Sequence, residues 1–285
     1  MFNIPNILTG FNLLAGITSI IFLFSGRLEL AVLAIFVGAI FDFFDGFAAR
    51  LLKKQGEIGK QLDSLADMVT FGVAPGLIVF VLLILSGGLD ITLNHGLSVN
   101  DFWQEGTMGH SVQYWINVYL NDIMQNENPI YPNYFEGWYL FLPFIALLIP
   151  FMSMFRLAKF NLDTRQSEKF IGLPTPANSI FFASFALILW DGFATQDWRS
   201  ALSLTLIKDQ VLMTFVVVFS ALLVSELNLF SLKFKSFGIK ENGIRYLFLL
   251  ISLILFITLF VWAIPIIILL YILMSLVGNV MEKEA

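Results

Sequence analysis

Two pairs of aspartates stand at helical spacing on either side of a short basic stretch. Asp42 and Asp45, in "FDFFDGFAAR" (residues 41–50), are three apart, and Asp63 and Asp67, in "LDSLADMVTFG" (residues 62–72), are four apart, so each pair shares one helical face. Both adjoin strongly apolar sequence, where a carboxylate costs about 2.5–3.5 kcal/mol at the centre of a membrane helix and less near its end. A hairpin of the two helices sets four carboxylates opposite one another. The bland alternative is a set of solvated groups near helix ends, paired with Lys and Arg of the connecting loop; Asp63 also suits a helix N-terminus. Clustered without counter-charge, four carboxylates repel one another. Magnesium or manganese, with calcium also possible, would remove that repulsion, and two such ions can clamp a diphosphate. Gly46 and Ala49 leave room for a bulky nucleotide beside the helix, and Arg50 offers a planar cation for phosphate. The residues alone therefore predict a metal-dependent site for a phosphorylated substrate whose tail lies in lipid.

The elements that must position these groups are membrane helices. The 285-residue chain is 58% hydrophobic and only 13% charged, about half the charge of an ordinary soluble domain. Apolar runs predict an all-α integral membrane bundle of about eight transmembrane helices, at residues 7–25, 28–50, 63–86, 138–158, 177–192, 209–227, 244–261 and 263–280. The last two form one apolar stretch, which as a single helix would reach about 52 Å, so a hairpin broken near Pro265 is expected. Thirteen of the sixteen Lys and Arg residues fall on the same side as the N-terminus, against Arg27, Arg199 and Lys208 on the other. By the positive-inside bias both termini and the aspartates are cytoplasmic, in a multi-pass protein of the cytoplasmic (inner) membrane. The N-terminus lacks the pattern of a cleaved signal, so the first run is expected to stay as a helix. There is no cysteine, which excludes disulfides and thiol chemistry.

The chain reads as one catalytic domain, 1–285, with residues 87–136 as an extracytoplasmic insert that contains no Lys or Arg. Its aromatic content predicts a packed cap at the membrane interface. His95 and His110 could ligate a metal with Asp101 or Glu105, although no tight spacing links them and plain surface roles are the stronger reading.

The complete spacing, Asp42-x2-Asp45-Gly46-x2-Ala49-Arg50-x8-Gly59-x3-Asp63-x3-Asp67, resembles the signature of the CDP-alcohol phosphotransferases, integral membrane enzymes of phospholipid synthesis. The resemblance implies that Asp42, Asp45, Asp63 and Asp67 hold two divalent metals on the pyrophosphate of a CDP-lipid, with Asp67 also the general base toward the acceptor alcohol. Gly46, Ala49, Arg50 and Gly59 would line the nucleotide site. The segment "PNILT" is similar to the family's N-terminal one, which adds Asn6 and Thr9 on the donor side. A homodimer embedded in the lipid bilayer is implied, and no nucleic acid partner.

Further along, "FRLAKFN" (residues 155–161) and "GLPTPAN" (residues 172–178) resemble the phosphatidylserine-forming branch of that family. That implies CDP-diacylglycerol and L-serine as substrates, with Arg156, Lys159 and Asn161 on the serine. The bland alternative for the same stretch, and the weaker reading, is ordinary positive-inside residues plus a Pro-bounded helix start. Glycerol 3-phosphate or inositol phosphate are the rival acceptors, and each should call for more cations than "RLAKFN" supplies. An intramembrane prenyltransferase usually has its two acidic motifs far apart in the chain. A divalent-cation transporter would need acids across the bilayer, which the later helices lack.

Overall fold

The computed structural model describes residues 3–54, 56–103, 107–124, 135–163, 170–195, 197–230 and 238–284. The chain is an all-α polytopic membrane protein. Among the described residues six helical segments are long and apolar enough to cross a membrane, or seven when one bent pair counts as a span.

Helix α1 (Ile4–Phe24) starts where the Asn3 side chain accepts the Asn6 amide at 2.9 Å, with Pro5 in the first turn, where its missing N–H costs nothing. A tight turn at Gly26, whose φ of +77° favours glycine, returns the chain into α2 (Leu28–Leu51). Next come α3 (Glu57–Asp67), a π-helical turn (Met68–Val73) and α4 (Ala74–Asn94), all one continuous segment. It runs further than the expected 63–86. At its start the extended Gly56 begins the helix early, and at its end Gly87 and Gly88 do not break it, because the rings of Phe135 and Trp115 pack against them. At about 57 Å the segment exceeds the hydrocarbon thickness, so α3 extends past the apolar zone. Accordingly, α3 buries only Ala66 and Asp67, whereas α4 forms the centre of the bundle.

Three elements close tightly around Thr70. A Cβ on Gly16 would stand 2.8 Å from the Thr70 Cα, and one on Gly38 would stand 2.6 Å from its Cγ2. The Thr70 hydroxyl donates to the Asn12 carbonyl at 2.8 Å. Small residues thus allow backbones to approach, as is usual between membrane helices.

The first eight residues of the expected insert extend α4. Beyond them come α5 (Val99–Phe102) and α6 (Met108–Ile123), and Phe102, Trp115, Tyr119 and Phe135 are all buried there. Trp115 donates to the Phe102 carbonyl at 3.3 Å and the Tyr119 hydroxyl to the Leu140 carbonyl at 2.7 Å. Burial pushes the Tyr119 hydroxyl up to about 12. The cap is a packed structure at the end of the bundle remote from the aspartates.

The expected helix at 138–158 is the segment Trp138–Leu162, made of α7 (Trp138–Phe141), a 3-10 turn (Leu142–Leu147) and α8 (Leu148–Leu162). Next, α9 (Thr175–Thr195) begins at the two prolines of "LPTP". The expected 209–227 helix is shorter, α11 (Asp209–Val224), and is joined at a 54° bend to α10 (Trp198–Leu206). The last apolar stretch is α12 (Ile239–Leu259), a 3-10 turn at Phe260–Trp262, and α13 (Ala263–Glu284). It folds back on itself: the Phe248 and Tyr271 rings are 5.8 Å apart, whereas 23 residues of straight helix would separate them by about 35 Å. The break falls before Pro265, which then occupies the first turn of α13, where proline is tolerated. Two strand fragments, β1 (Phe170–Ile171) and β2 (Asn228–Leu229), pair antiparallel at the same end as the aspartates.

Candidate active site

The hairpin of α2 and α3 brings the acidic pairs together. One carboxylate oxygen each from Asp42, Asp63 and Asp67 lies within 4.8 Å of the others. Asp45, one turn further along α2, accepts the Thr9 hydroxyl at 2.6 Å, and that hydroxyl also lies 3.1 Å from the Pro5 carbonyl. Asp67 Oδ1 accepts the Asn12 amide at 2.9 Å. Thus α1 holds both ends of the acidic face through two buried side chains. The π-helical turn begins directly after Asp67, and such turns recur at functional positions because they re-aim the residues beside them.

The donor set fits a hard divalent cation. Three carboxylates converge, Asp63 Oδ1 is buried without a hydrogen-bond partner, and among the described residues no Lys or Arg is paired with any of the four aspartates. Buried charges of one sign need such compensation. Among the described residues, His95 and His110 join no convergent group of metal-ligating side chains. The His95 ring contacts the Ile91 carbonyl at 2.8 Å, Asp101 is held by the Ser98 hydroxyl and amide, and Glu105 lies outside the described residues. Those two hydrogen bonds hold the Asp101 carboxyl below its ordinary value, a capping role.

Two cavities meet at the aspartates, and Asp63 lines both. The first, about 470 Å³, is lined by Asn6, Thr9, Asp45, Gly46, Ala49, Arg50 and Gly59, and by Lys54 and Lys60. Every donor-side residue singled out from the sequence is therefore on one wall system. A Cβ on Gly59 would lie 3.4 Å from Asn6 Oδ1 and one on Gly46 3.7 Å from Arg50 Nη1, both ordinary contacts, so packing against the protein does not by itself require glycine at either position.

The second cavity, about 290 Å³, is lined by Asp42, Asp63, Asp67, Arg156, Phe160 and Thr175, among others. Arg156 is only 3% exposed. Its Nε donates to the Leu173 carbonyl at 3.0 Å, and the guanidinium carbon sits 5.4 Å from the centre of the Phe160 ring. Nη1 is buried and unpartnered. A guanidinium fixed at one nitrogen and supported by a ring face is pre-set to receive a carboxylate. The other two expected acceptor residues are placed differently. Asn161 donates to Ser64, a lining residue, at 2.8 Å, while Lys159 turns outward to Glu226 and is absent from the cavity wall.

Sequence reasoning passed over Asn12, which is fully buried. The signal was available as periodicity: Thr9, Asn12, Gly16 and Ser19 form a polar and small stripe along an otherwise apolar helix. Ser64, Phe160 and Thr175 were missed as well, because each is ordinary in type and gains meaning only from what it faces.

Comparison with known proteins agrees with this geometry. The family model for CDP-alcohol phosphatidyltransferase matches residues 2–93, which contain the whole acidic signature. A CDP-diacylglycerol–serine O-phosphatidyltransferase of Bacillus subtilis is 30% identical over 190 residues, covering 65% of this chain and 73% of that one. An enzyme of the same name from Mycobacterium tuberculosis is 40% identical over 78 residues, 27% of each chain. An archaetidylserine synthase of Methanothermobacter thermautotrophicus is 25% identical over 189 residues, 65% of this chain and 58% of that one. With the aspartates, the glycines and Arg50 of the signature gathered at one site, and with a relative matched over most of its length, the chain belongs to the CDP-alcohol phosphatidyltransferase family.

Proposed function

We propose that the protein transfers the phosphatidyl group of CDP-diacylglycerol to L-serine, giving phosphatidylserine and CMP, at the cytoplasmic face of the cell membrane. The observation that carries this reading is the meeting of two cavities at one acidic cluster, one lined by the signature residues and the other by a buried, unpartnered guanidinium nitrogen. The names of the relatives, which all concern serine, support the acceptor. The excess of Lys and Arg on the connections at the aspartate end supports the orientation. A homodimer remains part of this proposal through family resemblance.

Asp42, Asp45, Asp63 and Asp67 would hold two divalent cations, magnesium or manganese, which when bound neutralise the pyrophosphate and the departing CMP. Arg50, with Lys54 and Lys60, faces the nucleotide side of the first cavity and supplies cations for phosphate. Thr9 fixes Asp45 and Asn12 fixes Asp67, so helix α1 holds two of the four proposed ligands in place. In the second cavity Arg156 Nη1 receives the serine carboxylate. The serine hydroxyl then lies between the guanidinium and Asp67, whose Oδ2 is the oxygen not engaged by Asn12 and accepts the hydroxyl proton. The hydroxyl oxygen forms a bond to the phosphorus that bears diacylglycerol, the bond from that phosphorus to the bridging pyrophosphate oxygen breaks, and CMP carries away the electron pair. The displacement is direct and in line.

The test is an acceptor screen on purified protein with CDP-diacylglycerol and magnesium or manganese. CMP release on addition of L-serine, abolished by a chelator and restored by the metal, is expected. Equal release with glycerol 3-phosphate and none with serine would sink the acceptor assignment.

A further inference from the structure

Arg156 owes its orientation to the Leu173 carbonyl, and that carbonyl belongs to a segment tied to the far end of the sequence. The segment is Phe170–Ile171 of β1 continued through Gly172 and Leu173. It pairs with β2, placing Phe170 against Leu229 and Ile171 against Asn228. The Gly172 amide donates to the Leu227 carbonyl at 2.8 Å and the Leu173 amide to the Leu222 carbonyl at 3.0 Å. Gly172 has a φ of +79°, and a Cβ there would stand 2.7 Å from the Leu223 carbonyl oxygen, so the close approach requires glycine. The opposite side of β2 is held by α13. Asn279 donates to the Asn228 carbonyl at 2.6 Å, Tyr271 to the Phe230 carbonyl at 2.9 Å, and the Ser275 hydroxyl accepts the Phe230 amide at 3.4 Å. Three side chains on one face of α13 thus hold two residues, Asn228 and Phe230, of the strap formed by residues 228–230 and 170–173.

We infer that α13 is a positioning element of the acceptor cavity, acting through residues 228–230 and 170–173 on the carbonyl that orients Arg156. Tyr271, Ser275 and Asn279 are its positioning residues. The inference rests on the reading of that cavity as the acceptor's. It gives the C-terminal hairpin, which lies beyond the stretch matched by the family model, a part in substrate selection in addition to its place in the membrane. The donor cavity has no wall in this chain of contacts, because its lining ends at Asp63. A link of this kind should therefore act on one substrate alone.

The experiment compares the full-length wild type with Tyr271→Phe/Ser275→Ala/Asn279→Ala, both purified in detergent. Two quantities are read: amide exchange in residues 170–173, and the KM for L-serine against that for CDP-diacylglycerol. Faster exchange there, with a serine KM raised about fivefold or more and a CDP-diacylglycerol KM changed less than about twofold, is expected. Restoring the hydroxyl in a variant that carries Ser275→Thr with Tyr271 and Asn279 intact should return the serine KM toward wild type. Unchanged exchange, an unchanged serine KM, or equal rises for both substrates overturns the inference. Should the triple variant not fold, Tyr271→Phe removes a single hydroxyl and keeps the ring against Phe230 and Phe248, and the same outcomes decide. Wild type that releases no CMP with serine would refute the acceptor reading instead, and the exchange measurement would still decide the link between α13 and the strap.

Discussion

Asp67 and Asp42 share one cluster but are asked for different things. Asp67→Asn keeps the side-chain shape and the hydrogen bond from Asn12 yet removes the proton acceptor, so turnover should fall by about 10²–10⁴-fold with CDP-lipid binding partly retained. Asp42→Asn should instead weaken metal and nucleotide binding, visible as a raised metal requirement in the same CMP assay. Near-normal turnover of Asp67→Asn would remove it from the role of base. Arg156 is tested by the split between substrates. Arg156→Ala should raise the KM for serine and leave that for CDP-diacylglycerol little changed, and Arg156→Lys should not restore it, since an ammonium cannot both hold the Leu173 carbonyl and present a planar fork. An unchanged serine KM in Arg156→Ala would take the guanidinium out of the site. These roles differ in how far they were readable beforehand. The aspartates were legible because their spacing alone fixes a shared face. Lys159 looked equal to Arg156 in the string "FRLAKFN", and only the position of Glu226, 67 residues on, turns it away.

Elements carry the site through their closest approaches. Thr70 sits where α1, α2 and the π-helical turn converge, and Gly16 and Gly38 leave it no spare room. Gly38→Ala should therefore cost about 1–3 kcal/mol by overpacking and lower the Tm of the detergent-solubilised protein by roughly 2–4 °C per kcal/mol. A Tm equal to wild type would show that the helices can separate there at no cost. The apolar runs made these helices legible. Helix ends were not, and the reason is physical. Gly87 and Gly88 read as a break in isolation, but they are where the Phe135 and Trp115 rings lie, so tertiary packing overrides the local preference. The bend between α10 and α11 was equally hidden, because Lys208 and Asp209 look like the start of a helix and say nothing of the turn before it.

Over the whole molecule the chemistry and the cap occupy opposite ends of a bundle whose centre is α4. At the cap end, Asp191 accepts from the Trp262 indole at 2.8 Å and from Arg199 at 3.3 Å, which fastens the corner of the C-terminal hairpin. At the other end the strap and α13 meet. The hairpin itself was foreseeable from the length of the apolar stretch, while its attachment to the strap was not, since a hydrogen bond to a backbone carbonyl leaves no mark on residue type. Asp63, finally, lines both cavities, so the proposed donor and acceptor sites adjoin at one carboxylate. In the direct displacement proposed above, no side chain carries the phosphatidyl group from one chamber to the other. Radiolabelled CMP should accordingly fail to appear in CDP-diacylglycerol when serine and its lipid product are both withheld, and isotope exchange under those conditions would mean that the protein itself becomes phosphatidylated.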